Sequence, residues 1–197
     1  MLVLSAAAVA VATLSACGGR APSASPRPVV YTNPANGFQI RYAAPFSQVK
    51  LERKWVDQWR KWPGADGWRP RLALQLPDDA VFLYADGPRT VRGRSWGWIE
   101  DNLDTVQPIL SHEISSGKAP PWIESCTMAS LDGFRGIAVQ GHHRFGGVQY
   151  RMQVSFVFGP TGTITVVMAA PVAQWEADRL RLQSVVDSFD VGAWGSG

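Results

Sequence analysis

The side chains best suited to chemistry by contact stand in one run, RKWVDQWRKW at positions 53–62. Trp55, Trp59 and Trp62 recur at i, i+4 and i+7, so a helix here gathers three indoles into one stripe. Arg53, Lys54, Arg60 and Lys61 lie beside or behind that stripe, and Pro63-Gly64 stops it. Three uses fit: packing on a sheet, docking on a protein partner, or resting on lipid headgroups. Arg89, Arg92 and Arg94 make a second cationic cluster just before Ser95, which is expected to cap a helix. Free amides and the positive dipole end of that helix would help three guanidinium groups hold an anion; a solvated loop is the plainer reading.

Catalytic chemistry finds less support. His142 and His143 are adjacent on an expected strand, so they point to opposite faces and cannot share a metal, and no third ligand stands at metal-like spacing. No metal site and no cofactor are expected. Ser47 to Lys50 spell Ser-x-x-Lys, but in extended-looking chain rather than at a helix start, and without a Lys-Thr-Gly partner. The chain has no Gly-x-Ser-x-Gly elbow, Walker loop or Gly-x-Gly-x-x-Gly fingerprint. The carboxylate neighbours Asp78-Asp79 and Glu100-Asp101 face no evident acid or base. The expectation is a protein without a catalytic site.

Cys17 carries the firmest chemical expectation. Residues 2–16, LVLSAAAVAVATLSA, are uncharged and apolar or small, short for a membrane span and of the right length for the core of a signal peptide. The end of that run, Leu14-Ser15-Ala16-Cys17, resembles the bacterial lipobox, in which the cysteine sulfur takes a diacylglyceryl group and becomes the mature N-terminus. No Lys or Arg separates Met1 from the apolar run, a departure that allows a start upstream of Met1. Each buried methylene contributes about 0.8 kcal/mol, so two or three acyl chains hold a protein stably where one does not. Residues 18–28, rich in Gly, Pro and Ser, then read as a tether of roughly 35 Å at about 3.1 Å per residue. By resemblance to lipoprotein sorting in double-membrane bacteria, Gly18 directly after the cysteine, with no Asp at that position, favours the outer membrane, facing the periplasm. Acylation of Cys17 leaves Cys126 as a lone thiol, read as a small buried hydrophobe.

A chain of 197 residues with 46% apolar and 18% charged side chains suits one soluble domain. Residues 1–94 carry thirteen Lys and Arg against six Asp and Glu, and the remainder reverses the balance, with six against ten. An envelope address removes nucleic acid from reach. Residues 29–33 and 38–42 read as a first hairpin around Asn33, Pro34, Asn36 and Gly37. Residues 123–131, 134–143, 148–158 and 163–169 form a four-stranded antiparallel meander closed by short turns. In the third of these strands Val148, Tyr150, Met152, Val154, Phe156 and Phe158 share one face, opposite Gln149, Arg151, Gln153 and Ser155. Two helices are expected to cover that apolar face. One follows Ser95 through Ile99, Leu103 and Val106 until Pro108 disturbs it, and one runs from Pro171 to about Ser188 on Trp175, Leu182, Val186 and Phe189. The fold class is α+β, an antiparallel sheet with helices packed on it.

The order NPANGFQIRY, AAPF, the strands RLALQL and AVFLYAD, a helix at SWGWIEDNL, the meander and a final helix ending VVDSFDV resembles the PsbP-like proteins, including the DcrB-type bacterial lipoproteins. The likeness spans about residues 30–191, and the Trp/Arg-rich run at 53–71 departs from it. It implies an α/β/α sandwich and a small binding, chaperone or assembly-factor module without catalytic residues. The organisation expected is a signal peptide over 1–16, acylated cysteine and linker over 17–29, one PsbP-like domain over 30–191 and a tail over 192–197. The function expected is that of a lipid-anchored envelope module binding a protein partner. The alternatives are an immunity protein or inhibitor that blocks an envelope-targeting toxin or enzyme, and a hydrolase with an unrecognised site.

Overall fold

The alternation in residues 148–158 sorts the central strand by chemistry. In the computed structural model, which describes residues 27–33, 38–50, 69–86, 90–91, 94–95, 99, 101–119, 121–159 and 162–190, Tyr150, Met152, Val154 and Phe158 are buried on one side. Gln149, Arg151, Gln153 and Ser155 take the other side, half-buried or exposed. Phe156 is only half-buried and Val148 is exposed, so the apolar face is shorter than the alternation suggests. Val157, on the polar side, is buried beneath the second layer.

The chain opens with β1 (Val29–Asn33) and β2 (Phe38–Tyr42), an antiparallel hairpin that forms its own two-stranded sheet. The main sheet takes β3 (Ser47–Gln48), β4 (Arg69–Gln75), β5 (Val81–Asp86), β8 (Ile123–Leu131), β9 (Phe134–Phe145), β10 (Val148–Gly159) and β11 (Gly162–Pro171). Its order is β3-β4-β5-β11-β10-β9-β8, antiparallel throughout. A small pair, β6 (Thr90–Val91) with β7 (Arg94–Ser95), stands apart from it. Tight turns fix the meander's register: Asp132 and Gly133 have φ of 46° and 84°, and Gly146 and Gly147 have φ of 55° and 87°. Two left-handed residues in a row are what a two-residue hairpin turn requires, which explains the Asp-Gly and Gly-Gly pairs.

The two helices lie on opposite faces of the sheet rather than together on one. Helix α1 (Leu103–Ser115) packs beside β8 and β9, over a core that includes Leu83, Val139, Met152, Val154 and Val167. Helix α2 (Trp175–Val186) packs on β11, β5 and β2, and with the β1–β2 hairpin encloses Phe38, Ile40, Phe82, Tyr84, Met168 and Leu182. The result is an α+β fold with an α/β/α layering.

The second helix start differs from the expectation. For the first, Ser95 ends β7, residues 96–98 lie outside the described residues, Ile99 and Asp101 are helical, and α1 runs from Leu103 through Pro108. Proline removes the amide that would bond to the Asp104 carbonyl, but Asp104 is exposed, so water reaches that carbonyl. The stripe of Leu103, Val106, Leu110 and Ile114 against the sheet holds the helix together past the break. Pro171 ends β11 opposite Tyr150 instead of opening α2. On α2, Trp175 and Leu182 are buried as the spacing predicts, Val185 replaces the half-buried Val186, and Phe189 is buried beyond the helix end. Asp178 is buried in the same stripe.

A polar relay ties the hairpin to the sheet. Asn33 Nδ2 donates to Tyr84 Oη at 2.9 Å, Tyr84 donates to Asp86 Oδ1, and Arg71 Nε donates to Asp86 Oδ2 at 2.6 Å. Tyr84 is fully buried, so its hydroxyl needs these partners.

Candidate binding surface

Because α2 and the hairpin rest over β4, β5 and β11, the β8–β10 half of that face keeps its polar side chains at the surface. The register sets three rows side by side. Gln153 lies opposite Gln140, which lies opposite Ser125; Ser155 lies opposite Ala138, which lies opposite Thr127; Arg151 lies opposite His142. Antiparallel sheets commonly leave one face to water, and here that face carries amides and hydroxyls with small Ala129 and Ala138 between them. Gln140 Nε2 donates to Gln153 Oε1 at 3.0 Å, which fixes both amides and leaves the remaining donor and acceptor positions for a ligand.

One end of the face is charged. A bulge at Glu124, where the register shifts between Ile123 and Ser125, turns its carboxylate onto His142, and Glu124 Oε1 meets His142 Nδ1. Arg151 lies over the Trp175 ring, 5.7 Å from its centroid, with an Nη1 to Glu176 Oε1 distance of 4.0 Å. Arg151 Nε is buried without a hydrogen-bond partner. Glu176 also meets Arg179 Nε at 3.6 Å. Thus the first turn of α2 forms a wall along the face, with an indole inside and charges outside.

His142 and Glu124 reproduce two members of a nucleophilic triad, the base and the carboxylate that orients it. Among the described residues no serine, threonine or cysteine side chain is hydrogen-bonded to the His142 ring, which meets Glu124. The described residues therefore hold no activated nucleophile beside it. His143 faces the other way, with its ring 4.5 Å from Phe145 in an edge contact, and burial pulls its basicity below the usual histidine range. Among the described residues no group of three or more His, Cys, Asp or Glu could hold a metal ion. Ser47 sits in β3, where its hydroxyl bonds to the Gln75 carbonyl at 3.3 Å, away from any helix start.

Of the residues singled out in the sequence, Cys17, Trp55, Trp59, Trp62, Arg89 and Arg92 lie outside the described residues. Arg94 belongs to β7 and pairs with Val91, and Ser95 ends that strand; residues 96–98 lie outside the described residues, and Ile99 and Asp101 beyond them are helical. Lys50 and Arg69, which flank the Trp/Arg-rich run, stand at the β3–β4 edge, across the sheet from β8. The β8–β10 face was missed as a site. Its signal was present as the polar side of the period-two alternation, which reads equally well as ordinary solvent exposure.

No protein-family model matches this chain, and no curated protein matches it in sequence. In structure the chain is similar to cyanobacterial PsbP (CyanoP) from Synechocystis sp. PCC 6803, with a TM-score of 0.49 and 14% identity over 90% of this chain and 98% of that one. It is also similar to LpqN of Mycobacterium tuberculosis, described as involved in cell envelope biogenesis, with a TM-score of 0.47 and 10% identity over 83% and 89% of the two chains. A protein of Pseudomonas aeruginosa described as a putative regulator gives a TM-score of 0.41 at 10% identity, over 82% and 94%. Among the described residues no helix is long and apolar enough to cross a membrane.

Proposed function

We propose that this chain is a cell-envelope module, held to the outer membrane by acyl chains on Cys17, that binds another protein on the β8–β10 face without a catalytic step of its own. The observation that carries the binding reading is the set of half-buried amides and hydroxyls of Gln140, Gln153, Ser125 and Ser155, presented on a sheet whose neighbouring strands lie under α2. A rigid sheet holds these groups without further ordering, so a partner pays little conformational entropy to meet them. The anchor rests on the Leu14-Ser15-Ala16-Cys17 pattern after an uncharged apolar run. Its tether gives the folded body a reach of roughly 35 Å from the lipid surface.

Affinity capture from solubilised membranes tests this reading. Thr127→Arg with Ser155→Arg places long cations on either side of buried Ala138, where they obstruct the face while pointing to solvent. The wild-type chain is expected to retain a protein that the double variant loses at unchanged thermal stability. Equal capture by both would remove the face from consideration. Cys17→Ser is expected to move the chain out of the detergent phase, and unchanged partitioning would remove the anchor. The partner's identity distinguishes an assembly role from inhibition of a toxin or enzyme. His142→Gln separates binding from hydrolysis, because a hydrolase using the His142–Glu124 dyad would lose its turnover with that substitution while a binding module would keep its partner.

A further inference from the structure

Asp178 projects from the first turn of α2 into a fully buried position, and Asp78, in the turn between β4 and β5, comes within hydrogen-bond reach of it. Asp178 Oδ2 and Asp78 Oδ1 are both buried, and neither meets a donor. Arg181 approaches the pair with a single nitrogen, Nη1, at 3.2 Å from Asp178 Oδ1 and 3.6 Å from Asp78 Oδ2. One cation against two carboxylates leaves an uncompensated negative charge, which is costly at the fully buried Asp178 although Asp78 and Arg181 are partly exposed. Each of the two buried oxygens lacks a donor, and a hydrogen carried by one carboxyl can be donated to the other. One bound proton supplies that hydrogen and also brings the trio to neutrality.

We propose that Asp78 and Asp178 share a single proton, and that this proton latches the first turn of α2 onto the β4–β5 turn. Burial and the Asp78 carboxylate both raise the affinity of Asp178 for its proton above the ordinary aspartate range, and Arg181 opposes them. The other charged groups nearby do not replace the proton. Asp79 is held by Gln75 Nε2 at 2.8 Å; on α2 itself, Glu176 is engaged with Arg151 of β10 and Arg179. Tyr150 of β10 senses Asp79 and is itself driven towards its neutral form by burial. On the inner side of α2, β11 and β2 supply apolar Met168, Ala170 and Ile40.

The sign follows from proton linkage. The folded chain binds the proton more tightly than the unfolded chain, so the latch is fully present below the ordinary aspartate range. It weakens as pH rises through the raised value of Asp178. Since Trp175 and Glu176 in the same turn hold Arg151, the α2 wall of the open face loosens with it. That last consequence alone rests on the binding reading, and the test below needs no partner.

Hydrogen exchange of the full chain as a function of pH, corrected for intrinsic exchange, reads the latch directly. Above the ordinary aspartate range, the opening constant of α2 amides is expected to rise by up to about tenfold per pH unit, the limit for loss of one proton, while α1 amides stay flat. Asp78→Asn supplies an amide donor in place of the proton and is expected to abolish the slope at high protection. An α2 slope no steeper than that of α1, or an unchanged slope in Asp78→Asn, overturns the proposal. Carbon-13 carboxyl titration of the wild-type chain gives a reading without substitution. One aspartate titrating well above the rest supports the shared proton, and all aspartates titrating in the ordinary range refutes it.

Discussion

Truncating Trp175 to alanine tests how the core and the candidate face share one wall. The indole is 3% exposed, belongs to the core between α2 and the sheet, and carries Arg151 on its ring at 5.7 Å. Tryptophan-to-alanine changes at such positions cost about 3–5 kcal/mol through lost transfer energy and a residual cavity. The Arg151 contact adds about 0.5–1 kcal/mol, because the guanidinium is half-buried and half-wet. With a urea m value of about 2 kcal/mol/M for a domain of this size, the two contributions together should lower the midpoint by roughly 2–3 M. Arg151→Met alone should cost less than about 1 kcal/mol, since its long apolar stem is replaced. A double-mutant cycle between the two should return the ring–guanidinium coupling. Equilibrium urea unfolding followed by far-ultraviolet circular dichroism measures all four species. A loss below about 1 kcal/mol for Trp175→Ala would mean that the indole does not close this core. A coupling of zero would leave Arg151 without its support on the face.

Gly136→Ala should disrupt pairing between β9 and β10, because a Cβ there would lie 2.0 Å from the Phe156 carbonyl oxygen, a backbone atom that cannot swing aside. The expected result is loss of cooperative unfolding or a large drop in melting temperature, and a wild-type melting curve would contradict this register. Cys126 should resist thiol reagents in the native state at neutral pH, since burial pushes its thiol up to about 11 and only the thiolate reacts. Labelling should appear on unfolding or as pH approaches that value, and fast native labelling at neutral pH would place the thiol at the surface.

The meander was legible because two signals agreed: a period of two over residues 123–169, and Asp-Gly or Gly-Gly pairs that supply the left-handed φ values the turns need. The helices were legible in their buried stripes and illegible at their ends. Pro171 carries a start signal of the right type but pairs with Tyr150, so strand pairing overrides the local cue there, while Ser95 pairs with Thr90 in an extended conformation that an N-cap residue also adopts. Asp178 interrupts an apolar stripe, which from sequence alone argues against that helix face being buried. Its partner Asp78 stands a hundred residues away, and no local rule joins them. The candidate face was illegible for a different reason. Which strands lie beneath α2 depends on sheet order, in which β11, the last strand of its meander, pairs across to β5.

The edges of the sheet bear on how a partner could approach. Strand β3 is only two residues long, which limits pairing at that end among the described residues. At the other end, the register directs the backbone groups of Cys126, Met128 and Ser130 away from β9, where an added strand could meet them. Helix α1 occupies the first of these positions: Gln107 Nε2 donates to the Cys126 carbonyl at 2.9 Å, and Gln107 Nε2 donates to Ser111 Oγ at 3.0 Å beside it. The Glu124 bulge interrupts the strand just before it. Among the described residues, the ladder groups beyond the capped Cys126 carbonyl are those of Met128 and Ser130, a short run for an extended peptide to be held mainly by its backbone. The same bulge that blunts the edge turns Glu124 onto His142 and so sets the charged end of the polar face. Edge protection and side-chain presentation are consequences of one irregularity. On the proposed reading, a partner would be recognised through the pattern of side chains on β8–β10, with selectivity coming from fixed amides and charges more than from buried apolar area.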